Sequence, residues 1–199
     1  MKIVVIGCFV SLVLIAGPLS VSGADTGDSL QRALYQRYQP SRIEIANPAT
    51  RGTVSRYGQV LVLSVEGVPA KPFHVTQANL KSPAFHVMDF AQIDVSIDGS
   101  VHASDAGPLT LEKGTRLVVL DVKLKGYRVH LLTHTAGPVP GSPAGKPIYG
   151  CTEFVFDFEP DVVKSGRAEV VVGRIERWLE WTPGQRVCAP GIDQLCLEP

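Results

Sequence analysis

The sequence predicts a mainly β fold with flanking helices (α+β), a small antiparallel barrel or bent sheet held between a short N-terminal helix and a C-terminal amphipathic helix. Three observations carry that expectation. Residues 116–124 (RLVVLDVKL) and 127–135 (YRVHLLTHT) alternate apolar and polar positions around a Lys125-Gly126 turn, the period-2 pattern of an antiparallel pair. Further apolar runs of strand length are separated by Gly-containing turns. Phe154, Phe156 and Phe158 fall on one side of the run 149–158 and form an aromatic stripe suited to a core.

Along the chain, residues 1–24 read as a secretory signal peptide: Lys2, an apolar run from Ile3 to Ala16, the breaker Gly17-Pro18 and a small-residue exit at Ser22-Gly23-Ala24. The run is shorter than the roughly 20 residues that span a bilayer. Asp28 or Ser29 can cap a helix over Leu30–Tyr38, with Leu30, Ala33, Leu34 and Tyr38 on one face and Pro40 ending it. Residues 41–56 read as extended chain with turns. Gln59–Val65 (QVLVLSV) is a strand, and Glu66-Gly67 turns the chain. Residues 68–90, with Pro69, Pro72 and Pro83, read as the least regular part.

Gln92–Ile97, the turn Asp98-Gly99 and Ser100–Ala103 make a hairpin. Leu109–Leu111 leads through Glu112-Lys113-Gly114 into the 116–124 strand, where Val118, Leu120, Val122 and Leu124 are expected on one face. In the return strand Tyr127, Val129 and Leu131 share a face, and Arg128, His130, Leu132 and His134 take the wet one. Residues 136–148 (AGPVPGSPAGKPI) form a long exposed Pro/Gly loop. Past Pro160, the spacing of Val171, Ile175, Trp178 and Leu179 predicts a helix from about Ala168 to Trp181. A strand over the valine-rich 168–172 is the competing reading. The expected domains are a β-rich unit at 25–181 and a tail at 182–199.

Composition narrows the function. The 199 residues carry 19 Lys+Arg and 19 Asp+Glu, and loss of Lys2 with the signal peptide leaves a net charge of −1. That balance offers no pull toward nucleic acid or an anionic membrane surface. The 45% hydrophobic content excludes disorder. No phosphate-cradling G-x-x-x-x-G-K-[ST] or G-x-G-x-x-G is present, nor G-x-S-x-G, H-E-x-x-H or C-x-x-C, and no cofactor is implied.

Three cysteines follow the signal peptide. Cys188 and Cys196 flank a Pro190-Gly191 turn, so a disulfide between them is expected to tie down the tail, and pairing of Cys151 with either is the alternative. Left free, Cys151 reads as a buried small hydrophobe or as a nucleophile. His130 and His134, about 13 Å apart at roughly 3.3 Å per residue, would need His74, His86, His102, Glu153 or Asp157 to complete a zinc site. Asp94 and Asp98, near Asp89 and Asp105, do not follow a calcium-loop spacing, and Asp98-Gly99 is turn chemistry. Asp157 and Glu159 face away from the aromatic stripe and read as solvated.

The succession of LQRALYQRY, GQVLVLSVEGV, LEKGTRLVVLDVKLKGYRVHLLT, a Pro/Gly loop, FVFDF and a final helix resembles a group of small secreted bacterial proteins of unknown function. The matching positions are Gly58-Gln59-Val60-Leu61-Val62 with Gly67, and Gly114-Thr115-Arg116-Leu117, within residues 29–181. The histidines, Thr115 and the cysteine-bearing tail depart from it. The resemblance implies an SH3-like barrel core and no catalytic residues. The expected function is an exported binding or structural module of the cell envelope or secreted space. Its partner would be an envelope protein or wall glycan, with no nucleic acid and no membrane after cleavage. The alternatives are a metal-dependent or thiol hydrolase using His130, His134 and Cys151, and a carrier of an apolar ligand.

Overall fold

The computed structural model describes residues 24–40, 42–43, 54–56, 59–74, 89–142 and 148–181. The elements run α1 (Ala24–Tyr38), β1 (Arg42–Ile43), β2 (Val54–Arg56), β3 (Val60–Leu63), β4 (Val68–His74), β5 (Ala91–Val95), β6 (Val101–Asp105), β7 (Leu109–Leu111), β8 (Arg116–Lys125), β9 (Arg128–Thr135), β10 (Ile148–Asp157), α2 (Pro160–Lys164), α3 (Ala168–Ile175) and β11 (Leu179–Trp181). The fold is mainly β, with one large sheet curled into a half-barrel.

The sheet order is β11-β3-β8-β9-β10-β4-β7. Strands β8, β9 and β10 form an antiparallel meander at its centre. The far edge of β10 is shared. Residues 148–151 pair antiparallel with β4, and residues 152–156 pair parallel with β5, which carries β6 as a hairpin. The sheet therefore forks at Cys151-Thr152.

The concave face and the helices enclose the main core. Leu30, Leu34 and Tyr38, four residues apart on α1, are buried with Val171 and Ile175 of α3, Val162 and Val163 of α2, and Leu117, Val119, Val129, Leu131, Phe154, Phe156 and Phe158 of the sheet and its exit. The aromatic stripe is thus core. Gln31 completes the seam between α1 and the sheet. Its amide donates to Val122 O (2.9 Å) and accepts from Leu124 N (2.6 Å), acting as a peptide group on the stretch of β8 that lies beyond its ladder with β3.

Several elements differ from the sequence reading, and α2 is absent from it. Helix α1 starts at Ala24 rather than Leu30, at the expected signal-peptide exit; residues 1–23 lie outside the described residues. In β8 a bulge sets both Leu120 and Asp121 against Leu132. The inward set is therefore Leu117 and Val119 before the bulge and Val122 and Leu124 after it, instead of one alternation from Val118 to Leu124. The expected C-terminal helix stops at Ile175, because Leu179–Trp181 turns to pair with Leu63–Leu61 of β3 and so satisfies an open edge.

The stretch expected to be irregular contains β4, prolines included. Thr152 Oγ1 donates to Pro69 O (2.8 Å), so the carbonyl of Pro69 points toward β10. In an antiparallel ladder the missing N–H of the same residue points the same way. The β4–β10 ladder begins only at Lys71, so no bond is lost there. Pro72, of opposite phase, turns its missing donor toward β7, whose ladder has ended at Ala70. Each proline sits where its strand has no partner on that side.

Candidate functional site

The convex face of the sheet carries the histidines and Cys151, and its two ends differ. Toward the β8–β9 turn it is polar. Arg128 Nε donates to Asp157 Oδ1 (2.6 Å) and its Nη2 to Asp94 Oδ1 (3.2 Å), and His130 Nδ1 meets Glu153 Oε1 at 2.7 Å. Farther along the face, opposite Cys151 in the β4–β10 ladder, Lys71 bridges Asp105 (2.6 Å) and Asp89 (3.0 Å), and Asp105 foremost holds its ammonium above the usual lysine range. Toward the far end the face is apolar: Leu120 and Cys151 are buried beneath Phe73, Phe90 and Leu132.

His134 stands directly across from Cys151 in the β9–β10 ladder. It is 7% exposed, and the expected pair of wet-face histidines is corrected at this position. Thr135 O can only accept, so the 2.6 Å contact fixes the proton on His134 Nδ1, and the ring meets Tyr149 edge-on at 5.9 Å. Burial pushes the His134 imidazole below its usual range. Burial also pushes the Cys151 thiol up to about 12, with Asp89 adding to the shift. A neutral thiol beside a neutral imidazole is not an activated nucleophile. With Cys188 and Cys196 replaced by serine, Cys151 is expected to resist alkylation near pH 8 in the folded protein and to react once denaturant opens it. Rapid labelling of the folded form would contradict this.

His134 also predicts an acid limit. Its folded pKa lies below the unfolded value of 6.5, so the unfolded chain binds the extra proton. Its contribution is complete above about pH 6.5 and shrinks as pH falls below that, by at most about 1.4 kcal/mol per pH unit. Denaturant midpoints between pH 7 and 5 are expected to fall in the parent protein and to stay flatter in His134→Gln.

The remaining sequence candidates are dispersed. Glu153 and Asp157 are engaged by His130 and Arg128, and Asp89 and Asp105 by Lys71. Asp98 accepts from the amide and hydroxyl of Ser100, which hold its carboxyl below the usual range, as its turn role requires. His102 is exposed on β6 opposite Asp94. Glu159 is exposed. His86, Cys188 and Cys196, and with them the expected disulfide, lie outside the described residues. Among the described residues no group of three or more His, Cys, Asp or Glu is placed to hold a metal ion.

Among the described residues, a cleft of about 730 Å³ that can hold a ligand lies at the opposite end of β9 from the charged cluster. One wall is Leu109, Thr110 and Leu111 with the turn Glu112–Arg116. The other is Gly137, Pro138, Val139 and Pro140, the start of the expected Pro/Gly loop. Val139 is anchored by its amide to Ile148 O (2.8 Å) and packs on the core. Thr135, buried at the cleft base, accepts from Gly150 N and donates to Gly137 O, fixing where the loop departs. Two glycines let the walls close. A Cβ on Gly107 would stand 2.0 Å from Ala70 O, and one on Gly150 would stand 3.1 Å from Ala70 and Leu111. The sequence points to the loop but not to Thr110, Glu112 or Arg116, which face it only because β7 sits at the end of the sheet. Compared with family models, curated proteins and solved structures, the chain matches none.

Proposed function

We propose that this protein is an exported, non-enzymatic binding module of the cell envelope or secreted space, built on an SH3-like barrel core. Its ligand lies in the cleft between β7 and residues 136–142. One observation carries this reading: the cleft has the size of a ligand site, combines apolar walls with a few polar groups, and opens under the start of the exposed Pro/Gly loop. The hydrolase alternative loses ground because the Cys151 thiol is buried and held neutral. The carrier alternative loses ground because aromatic and aliphatic side chains fill the concave interior.

A photo-crosslinking residue at Pro138, compared with one at the exposed Tyr35 on α1, tests the reading in native envelope. Adducts with an envelope protein from position 138 alone support it, as does co-sedimentation with purified wall glycan that Val139→Asp abolishes. If position 138 gives no more than position 35 and nothing co-sediments, the reading fails.

A further inference from the structure

Resting on the cleft as the binding site, we propose that its ligand is an extended polypeptide segment of another protein, which adds as a strand to the free edge of β7 and is hydrogen-bonded through the main chain of Thr110. Among the described residues β7 pairs only with β4. The phase of that pairing is fixed by Pro69. Its carbonyl is turned to Thr152, and it has no N–H, so the pair Pro69–Thr110 exchanges no hydrogen bonds. It follows that the N–H and C=O of Thr110 point away from β4.

They point into the cleft. Successive strand side chains face opposite sides, so a surface lying against one face of β7 would touch alternate residues. Here Leu109, Thr110 and Leu111 all line it, which places the cleft along the edge itself. The edge is bounded at both ends. Pro108 has no N–H to offer, and the carbonyl of Glu112 is occupied by Thr115 N (3.1 Å) and Thr115 Oγ1 (2.6 Å). The ladder is therefore short and centred on Thr110.

At Pro138, Val139 and Pro140 the opposite wall offers no free main-chain donor. Val139 N is already bonded, and the prolines on either side of it have no donors. Pro138, Val139 and Pro140 offer apolar surface to alternate side chains of the incoming strand, while Glu112 and Arg116, both exposed at the mouth, complement charges of either sign beyond it. Among the described residues no aromatic ring lines the cleft to stack on a sugar. An outward peptide donor and acceptor, an apolar wall and charged ends fit a polypeptide strand better than a glycan.

A displayed library of random nine-residue peptides, selected on the mature protein (residues 25–199), supplies the probe. Selected peptides are expected to slow amide exchange at Thr110 at least about tenfold. Thr110→Pro should weaken them about tenfold by removing one main-chain donor, and Thr110→Val should hold affinity within about twofold. Because Thr110→Pro can perturb the edge, single N-methylation along one selected peptide gives a second reading on the unaltered protein, with affinity falling at the position whose N–H reaches Thr110 O and not at its immediate neighbours on either side. Binding that leaves the Thr110 amide unprotected, or an N-methyl scan without that pattern, overturns the proposal. So does a Thr110 amide already protected in the free monomer, or protected only on self-association. If no peptide is selected but wall-glycan fragments perturb cleft amides, the polypeptide is wrong and the binding module stands. If neither ligand perturbs the cleft and the envelope crosslinking also fails, both readings fall.

Discussion

Gln31→Ala is expected to cost about 2–4 kcal/mol and to lower the melting temperature by roughly 5–15 °C. The side chain makes two bonds to the main chain of β8, at Val122 O and Leu124 N, across 91 and 93 positions of sequence. Truncation leaves a donor and an acceptor half-buried under α1 with no partner, and that desolvation costs more than the bonds themselves contribute. Gln31→Glu separates the two bonds, since a carboxylate still accepts from Leu124 N but cannot donate to Val122 O. Its loss is expected to fall between those of the parent and the alanine variant. Chemical denaturation followed by tryptophan fluorescence reads all three, and a loss under about 0.5 kcal/mol in Gln31→Ala would mean that water replaces the amide without cost.

Phe156→Ala is expected to cost about 3–5 kcal/mol. Phe156 is fully buried, stacks on Phe154 with centroids 6.2 Å apart, and lies where β10 is held on both sides, by Val129 of β9 and Val95 of β5. A strand held on both edges cannot collapse into the void, so most of the cavity penalty should persist. Phe156→Leu should recover more than half of the loss in the same denaturation experiment. Equal losses for leucine and alanine would show that ring stacking, rather than volume, dominates.

What the sequence discloses depends on whether a residue's neighbours are local. Strands β8 and β9 are legible because Asp121, Lys123, Arg128 and His130 mark the wet side, and Phe154 to Phe158 are legible as core because they alternate with Val155 and Asp157. The bulge at Leu120 is hidden, since Leu117–Leu120 is apolar on both faces and no polar residue marks the phase. Strand β4 is hidden because prolines read as breakers unless the ends of both neighbouring ladders are known. His134 shares its phase with Arg128 and His130, yet it is buried: Tyr149 meets its ring edge-on, and beside it Phe73 and Phe90, from a stretch read as irregular, pack on Leu120 and Cys151. The Pro/Gly loop is visible as a loop. That it faces a free strand edge is not visible, because β7 is placed there by β4, about 40 residues earlier in the chain.

The fork at Cys151-Thr152 sets an order of assembly. Synthesis delivers α1, β3, β4 and β5 first, and each finds its main partner in β8, β10, α2 or α3, which come later; Arg37 waits 139 positions for Glu176. The first strands to form lastingly should be β8 and β9, joined by the tight turn at Gly126, with β10 added across the 136–147 loop, the earlier strands laid onto that template and α1 closing over it. Chains built from such distant pairings fold slowly and leave strand edges open while they do so. Refolding yield is therefore expected to fall as protein concentration rises, and the half-finished meander, with the edges of β8 and β10 still vacant, is the species that associates.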